Sequence, residues 1–193
     1  MSKHIRLYYD YDNNQNPNKL KEEYFMINGK IEGEYKSFDE NGNLSIRSNY
    51  INGNKYGPST LYHKNGNILL NNHYENGLLN GICAHYYENR QISEICNYIN
   101  GKKQGRFSQY YENGQLEVEC FYINGKRQGI YKRYYDSGVL HIECNYVDAK
   151  KNGIYNYYNQ DGILMKTIDY NDENNNGIDN DYDNDYHSDN HLV

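Results

Sequence analysis

The chain has no tryptophan, two prolines and four phenylalanines among its 193 residues. Only 37% of it is hydrophobic, and the mean hydropathy is −1.10. That leaves too little apolar mass for a thick, closed core. No apolar run approaches membrane-spanning length. The opening MSKHIRLYYDYD holds no apolar stretch of the kind a secretion signal needs. The expected setting is therefore intracellular and cytoplasmic. Four cysteines in that setting are expected to be free thiols. Asn, Tyr, Ile and Lys share AT-rich codons, and their abundance fits an AT-rich genome, such as that of a large DNA virus, a protist or some bacteria. A viral origin would make the setting a host cell.

What the chain does have is tyrosine, 25 of them. Tyrosine suits positions that are half buried and half wet, which a thin sheet offers in number. The tyrosines are periodic. Tyr50, Tyr74, Tyr98, Tyr122, Tyr146 and Tyr170 recur every 24 residues, with Met26 in register. A glycine column follows at Gly29, Gly53, Gly77, Gly101 and Gly125, broken by Ala149. A second runs unbroken through Gly33, Gly57, Gly81, Gly105, Gly129 and Gly153. An aromatic column holds Phe38, Tyr62, Tyr86, Tyr110, Tyr134 and Tyr158, and an aliphatic one Leu44, Ile68, Ile92, Leu116, Leu140 and Leu164. Such self-similarity marks a repeat architecture.

Each unit reads as a β-hairpin. Asn-Gly pairs supply positive φ angles at both ends of the strands. The expected layout is a loop over Asn-Gly-x-x-x-Gly, a first strand after its last glycine, a tight turn, and an alternating second strand. In that second strand Leu116, Val118, Cys120 and Tyr122 share one face by parity, as do Leu140, Ile142, Cys144 and Tyr146. Phe107 and Tyr110 have opposite parity, so either aromatics lie on both faces or a bulge intervenes. The fold class expected is all-β: one elongated antiparallel sheet of tandem 24-residue hairpins. Residues 1–25 read as a degenerate half-repeat and cap, with a loop around Asn13–Asn18. Residues 26–169 read as six units. Residues 170–193 read as the start of a further degenerate unit and an acidic, disordered tail.

At these columns the chain resembles the MORN repeat family, in its variant pattern Y-x-N-G-x-x-x-G-x-x-x-x-Y-x-x-N-G-x-L, over roughly residues 19–170. The resemblance implies a twisted sheet of successive hairpins. It also implies roles in protein–protein contact and scaffolding and, in some members, membrane-lipid association. Some bacterial proteins with this variant are labelled antitoxins, which implies neutralisation of a protein partner as a further reading. The more familiar MORN spacing of Tyr-x-Gly with a Gly-x-Gly pair is not followed here.

The chemistry-bearing residues build no reaction centre by sequence. Cys96, Cys120 and Cys144 form a column, but successive members lie two strands, about 9.6 Å, apart, too far for a disulfide or a shared zinc ion. Cys83 sits in a different column. His63, His73, His85 and His141 occupy four different repeat positions. No nucleophile motif or phosphate loop is present, so the chain is expected not to be an enzyme and to need no cofactor or metal. Asp172-x-Asn174-x-Asn176-Gly177, with Asp183, has the spacing of a calcium loop. It has Asp179 at the usual apolar position and no closing Glu, and a solvated tail is the simpler reading.

Charge is sorted along the chain. Residues 169–193 carry eight acids and no Lys or Arg, leaving 18 acids against 20 bases elsewhere. Within the units, Lys30, Lys55, Lys102, Lys103, Lys126, Arg127, Lys150 and Lys151 fall in the Asn-Gly-x-x-x-Gly loops. Glu40, Glu88, Glu112, Asp136 and Asp161 fall in the opposite turns, with Lys64 and Arg90 as exceptions. The expectation is one basic long edge for an anionic partner and one acidic edge. The acidic tail would compete for the basic one. Tyr62, Tyr86, Tyr110, Tyr134 and Tyr158 would supply a contact ladder if exposed. The partner expected is another protein, then anionic lipid, with nucleic acid disfavoured.

Overall fold

The structure is a computed structural model that describes residues 1–9 and 19–172. Among these residues it is all-β, with one antiparallel sheet built of hairpins in chain order. The first hairpin is β1 (Ser2–Tyr8) with β2 (Leu20–Ile27), and the second is β3 (Lys30–Phe38) with β4 (Leu44–Ile51). The third is β5 (Asn54–Tyr62) with β6 (Ile68–Glu75). In the fourth, the first strand is split into β7 (Leu78–Leu79) and β8 (Gly81–Tyr86), ahead of β9 (Ile92–Ile99). The fifth pairs β10 (Lys102–Tyr110) with β11 (Leu116–Ile123). The sixth splits again into β12 (Lys126–Arg127) and β13 (Gly129–Tyr134), ahead of β14 (Leu140–Val147). The last pairs β15 (Lys150–Tyr158) with β16 (Leu164–Asp169). The proposed loop at residues 13–18, Gly177 and the calcium-like spacing beyond Asp172 lie outside the described residues.

The connection between hairpins is shorter than the sequence suggested. Only two residues turn, and both are left-handed: Asn100 at φ 50° and Gly101 at 78°, and Asn124 at 52° and Gly125 at 82°. This is the two-residue turn whose twist matches the strands it joins. The chain is back in a strand at the very next residue, so Ile99 faces Lys102 and Tyr98 faces Lys103. The second glycine column does not start the strand. It sits inside it, also at positive φ (Gly105 at 87°), where the register slips between Lys103 and Phe107. It marks a bulge of the kind glycine permits.

A second bulge falls on the other strand. Tyr110 faces Leu116 while Gln109 faces Val118, so Glu117 is the extra residue. This corrects the expected face sharing. Val118, Cys120 and Tyr122 lie together, and Leu116, with Tyr110, turns to the opposite face. It also decides the parity question: the aromatics of the first strand lie on both faces, Phe107 on one and Tyr110 on the other.

One face carries the core. Cys96, Phe107, Val118, Cys120, Tyr131, Ile142, Cys144, Tyr146, Tyr155 and Ile168 form a continuous buried cluster, with Tyr98, Tyr122, Tyr157 and Tyr170 packed against it. The rings meet edge to face, Phe107 with Tyr122 and Tyr131 with Tyr146 at 5.7 Å each. Earlier hairpins fill the same columns with small polar groups. The hydroxyls of Ser48 and Ser59 bond at 2.6 Å, and the buried Asn72 amide has neither polar atom hydrogen-bonded.

Two substitutions follow from these departures. Ala149 holds φ 67° in the column that is otherwise glycine, a region costing an L-residue about 1–2 kcal/mol. Ala149→Gly should stabilise the array by about 1 kcal/mol, read as a higher denaturant midpoint. Asn72→Cys places the residue of the next three units, Cys96, Cys120 and Cys144, in that column. It removes a desolvated amide worth about 1–3 kcal/mol and should raise the midpoint further; a lower midpoint would show that the amide is satisfied.

Candidate interaction surface

The eight predicted cations do not form one edge. Their positions follow from the two-residue turn, which puts the first of each pair on the outer face and the second on the core face. Lys55, Lys103, Arg127 and Lys151 therefore lie over aromatic rings. Lys103 Nζ stands 4.8 Å from the Phe107 ring and 5.5 Å from that of Tyr122. Arg127 sits 5.5 Å from Tyr131 and 5.4 Å from Tyr146. Lys151 is 5.1 Å from Tyr155 and 5.3 Å from Tyr170, and Lys55 is 5.0 Å from Tyr74. These four roof the core with their aliphatic stems and place their charges on π-faces. Lys103 also reaches Glu94 at 3.8 Å. They are part of the packing, which corrects their expected place on a basic rail. Lys30, Lys102, Lys126 and Lys150 are exposed on the outer side of the turns. Lys126 meets Asp148 of the next turn at 3.3 Å.

The outer face is laid out in three bands. Nearest the acidic turns runs the predicted ladder of Tyr62, Tyr86, Tyr110, Tyr134 and Tyr158, all half-buried. The hydroxyl of Tyr134 donates to Glu119 at 2.9 Å. Burial, then that carboxylate, pushes its pKa up to about 12. The middle band is charged and paired: Arg6 to Glu23 at 2.8 Å, Arg47 to Glu34 at 2.6 Å, Arg106 to Glu119 at 2.9 Å and Lys132 to Glu143 at 3.3 Å. The third band, beside the Asn-Gly turns, is apolar and exposed. Ile99, Ile123 and Val147 each face one of the outer lysines across a turn. Ile82, Phe121, Ile130 and Ile154 lie beside them, Ile130 being 62% exposed. Sequence reasoning missed this band. Its signal was the residue just before each inter-hairpin turn, which is Ile27, Ile51, Ile99, Ile123 or Val147 in five of six turns.

A column next to the predicted ladder was also missed. The hydroxyls of Tyr87, Tyr111 and Tyr135 donate to the carbonyls of Tyr110, Tyr134 and Tyr158 in the next unit, at 2.6, 2.7 and 2.9 Å. Tyr9 does the same to Phe38 at 2.7 Å. His63 fills the column with its ring nitrogen 2.9 Å from the Tyr86 carbonyl, so one histidine does have a repeat role. His141 stacks on Tyr135 at 4.1 Å. Each such residue clips one hairpin to the next.

Cys83 proves to be the cross-strand partner of Cys96, although the two belong to different columns. All four cysteines are buried free thiols. Burial pushes Cys83 up to about 12 and Cys96 up to about 11, which makes them poor nucleophiles at neutral pH. Among the described residues no group of three or more His, Cys, Asp or Glu side chains is placed to hold a metal ion. Among them, too, no helix is long and apolar enough to cross a membrane.

The family model of the MORN repeat variant matches the chain at three repeat positions, residues 31–52, 103–124 and 127–148. Each stretch runs from the second residue after one turn to the Asn or Asp of the next. No curated protein matches the chain. Among solved structures, a mutant of S. aureus TarM in complex with Fondaparinux, alpha-GlcNAc-glycerol and UDP aligns at 13% identity and a TM-score of 0.33. That alignment covers 50% of this chain and 19% of the other.

Among the tyrosines and cysteines every resolved shift is upward, while Glu23, Glu34 and Asp39 are lowered by their hydrogen-bond partners and matter only at acid pH. Tyr35, Tyr134, Tyr135 and Cys83 are raised to about 12 and Cys96 to about 11, each mainly by burial. Acids whose folded pKa lies above the unfolded value stabilise fully below the unfolded value, here about 9–10, and lose that contribution as pH rises through the folded one. The array should hold its midpoint between pH 7 and 9 and lose stability from pH 9 to 12. Denaturant melts across that range test this; a flat profile to pH 12 would contradict it.

Proposed function

We propose that the protein is a non-enzymatic scaffold that binds another protein along the apolar band of its outer face. The observation that supports this is the exposed run of Ile99, Phe121, Ile123, Ile130, Val147 and Ile154, a contiguous patch that a monomeric surface rarely leaves bare. The lysines alternating with it favour a partner with an apolar, acid-flanked contact surface. The tyrosine ladder on the same face adds amphipathic contact area at its margin.

A second reading rests on the same residues. Aliphatic side chains alternating with Lys102, Lys126 and Lys150 also suit an anionic bilayer surface, where apolar insertion and charge attraction add. The two readings separate cleanly. A paired change, Ile123→Ser with Ile130→Ser, touches no core residue and should leave the fold intact by circular dichroism. Under the scaffold reading it reduces recovery of a specific protein partner at least tenfold in affinity capture, while neither form sediments with anionic vesicles at low salt. Vesicle binding that falls with salt and with the double change would transfer the function to the membrane. Partner recovery unchanged by the double change would remove the outer band from the function.

A further inference from the structure

We infer that the two ends of the sheet fit each other, so that a second copy of this chain adds head to tail and continues the array. Within the chain, every junction between hairpins joins the second strand of one unit to the first strand of the next. The described array begins on a first strand, β1, and ends on a second strand, β16. Tyr9 makes the clip that Tyr111 and Tyr135 make, which places β1 in the repeat register. Joining β16 to β1 of another copy is thus one more junction of the kind the chain already contains.

The side chains at the two ends match. At the C-terminal end a hollow of about 230 Å³ lies on the core face, lined by Tyr155, Met165, Ile168 and Tyr170 and also by Lys151 and Lys166. One unit earlier, the ring of Tyr155 belongs to the cluster that covers Cys144 and Tyr146. In the same register Ile5 of an incoming β1 would come opposite Ile168, and Leu7 opposite Lys166. Leu7 and Tyr8 at one end, and Leu164 and Met165 at the other, are 43–60% exposed. Their counterparts inside the array, such as Arg133, Tyr134, Leu140 and His141, are half-buried against the neighbouring units. Terminal repeats that stay solitary carry polar outer faces; here Leu7, Leu164 and Met165 leave apolar surface bare among the polar residues of the two end strands. Twenty-four residues after Tyr155 and Tyr157 stand Asp179 and Asp181, and carboxylates over Ile168 would be desolvated without a partner.

A junction between unlike ends is heterologous and does not close on a pair, and that gives it a diagnostic. Arg6 and Thr167 occupy the positions of Lys132 and Glu119, which face each other across an internal junction. Proline there removes an outward N–H from an edge strand, where proline is tolerated. The full chain should gain mass with concentration in sedimentation velocity, past a dimer. Arg6→Pro alone and Thr167→Pro alone should each stay monomeric, with circular dichroism spectra like the parent's, while their mixture should give a dimer and stop there. A parent that stays monomeric at all concentrations overturns the inference. So does self-association of Arg6→Pro alone, which would mean like ends pairing. Association that appears only after residues 173–193 are deleted also overturns it for the full chain, and assigns the C-terminal end to that segment.

Discussion

The two-residue left-handed turn is the constraint on which the rest of the array depends. It requires φ above zero at two successive residues, and Asn-Gly meets that requirement at the lowest steric penalty. Because no loop intervenes, the residue after the glycine is already paired. The next two side chains must then point to opposite faces. A basic pair such as Lys102-Lys103 is divided by the turn, one cation going to solvent and the other over the core. Had the connection been five residues long, both would have been wet, and the core would have lost its roof.

That roof explains how a single sheet holds a core with no second layer above it. A lone antiparallel sheet buries one face only if something covers it. Here the cover comes from within the same face: Lys103, Arg127 and Lys151 each lie across two rings of their own hairpin at 4.8–5.5 Å. Under them Ile142 is wholly inaccessible and Tyr131 nearly so. The abundance of tyrosine follows from the same geometry. Some rings fill the core face edge to face. Others, as at Tyr111, pack by the ring and use the hydroxyl to reach the carbonyl of the next unit. Phenylalanine would serve the first role and not the second.

The hairpins, their order and their period of 24 were legible because every unit repeats the same turn chemistry, and local turn signals do not depend on what packs above. The face assignments were legible only in part. Val118, Cys120 and Tyr122 alternate as expected, whereas Leu116 does not, because Glu117 is an extra residue that alternation cannot count. The bulge glycines looked like turn glycines because both need positive φ; the difference is whether a partner strand continues past them, which is a tertiary fact. The lysines were misplaced for the same reason. The outer apolar band was visible as a column of isoleucines, but a β-branched residue before a turn reads first as strand propensity, and only its exposure in the folded sheet separates that from a surface.

The core column itself is uneven, and this bears on how the array behaves. From Tyr35 it passes through Ser59 and Cys83 before returning to Phe107, Tyr131 and Tyr155. In a repeat array each hairpin is held by its own stability and by its contacts with two neighbours. Between hairpins that meet ring to ring the contact is large. Between the second and fourth the central column holds only Ser48, Ser59, Asn72 and Cys83, side chains too small to reach past one strand, and Leu70 and Leu79 beside them supply the larger buried groups in place of rings. The middle of the array is therefore where coupling between the two aromatic blocks is weakest, and where partial opening requires least. The proposed contact band sits over the other block. Phe121, Ile123, Ile130, Val147 and Ile154 all lie behind the C-terminal aromatic block, so the surface proposed for a partner is backed by the continuous ring-packed cluster of the sheet.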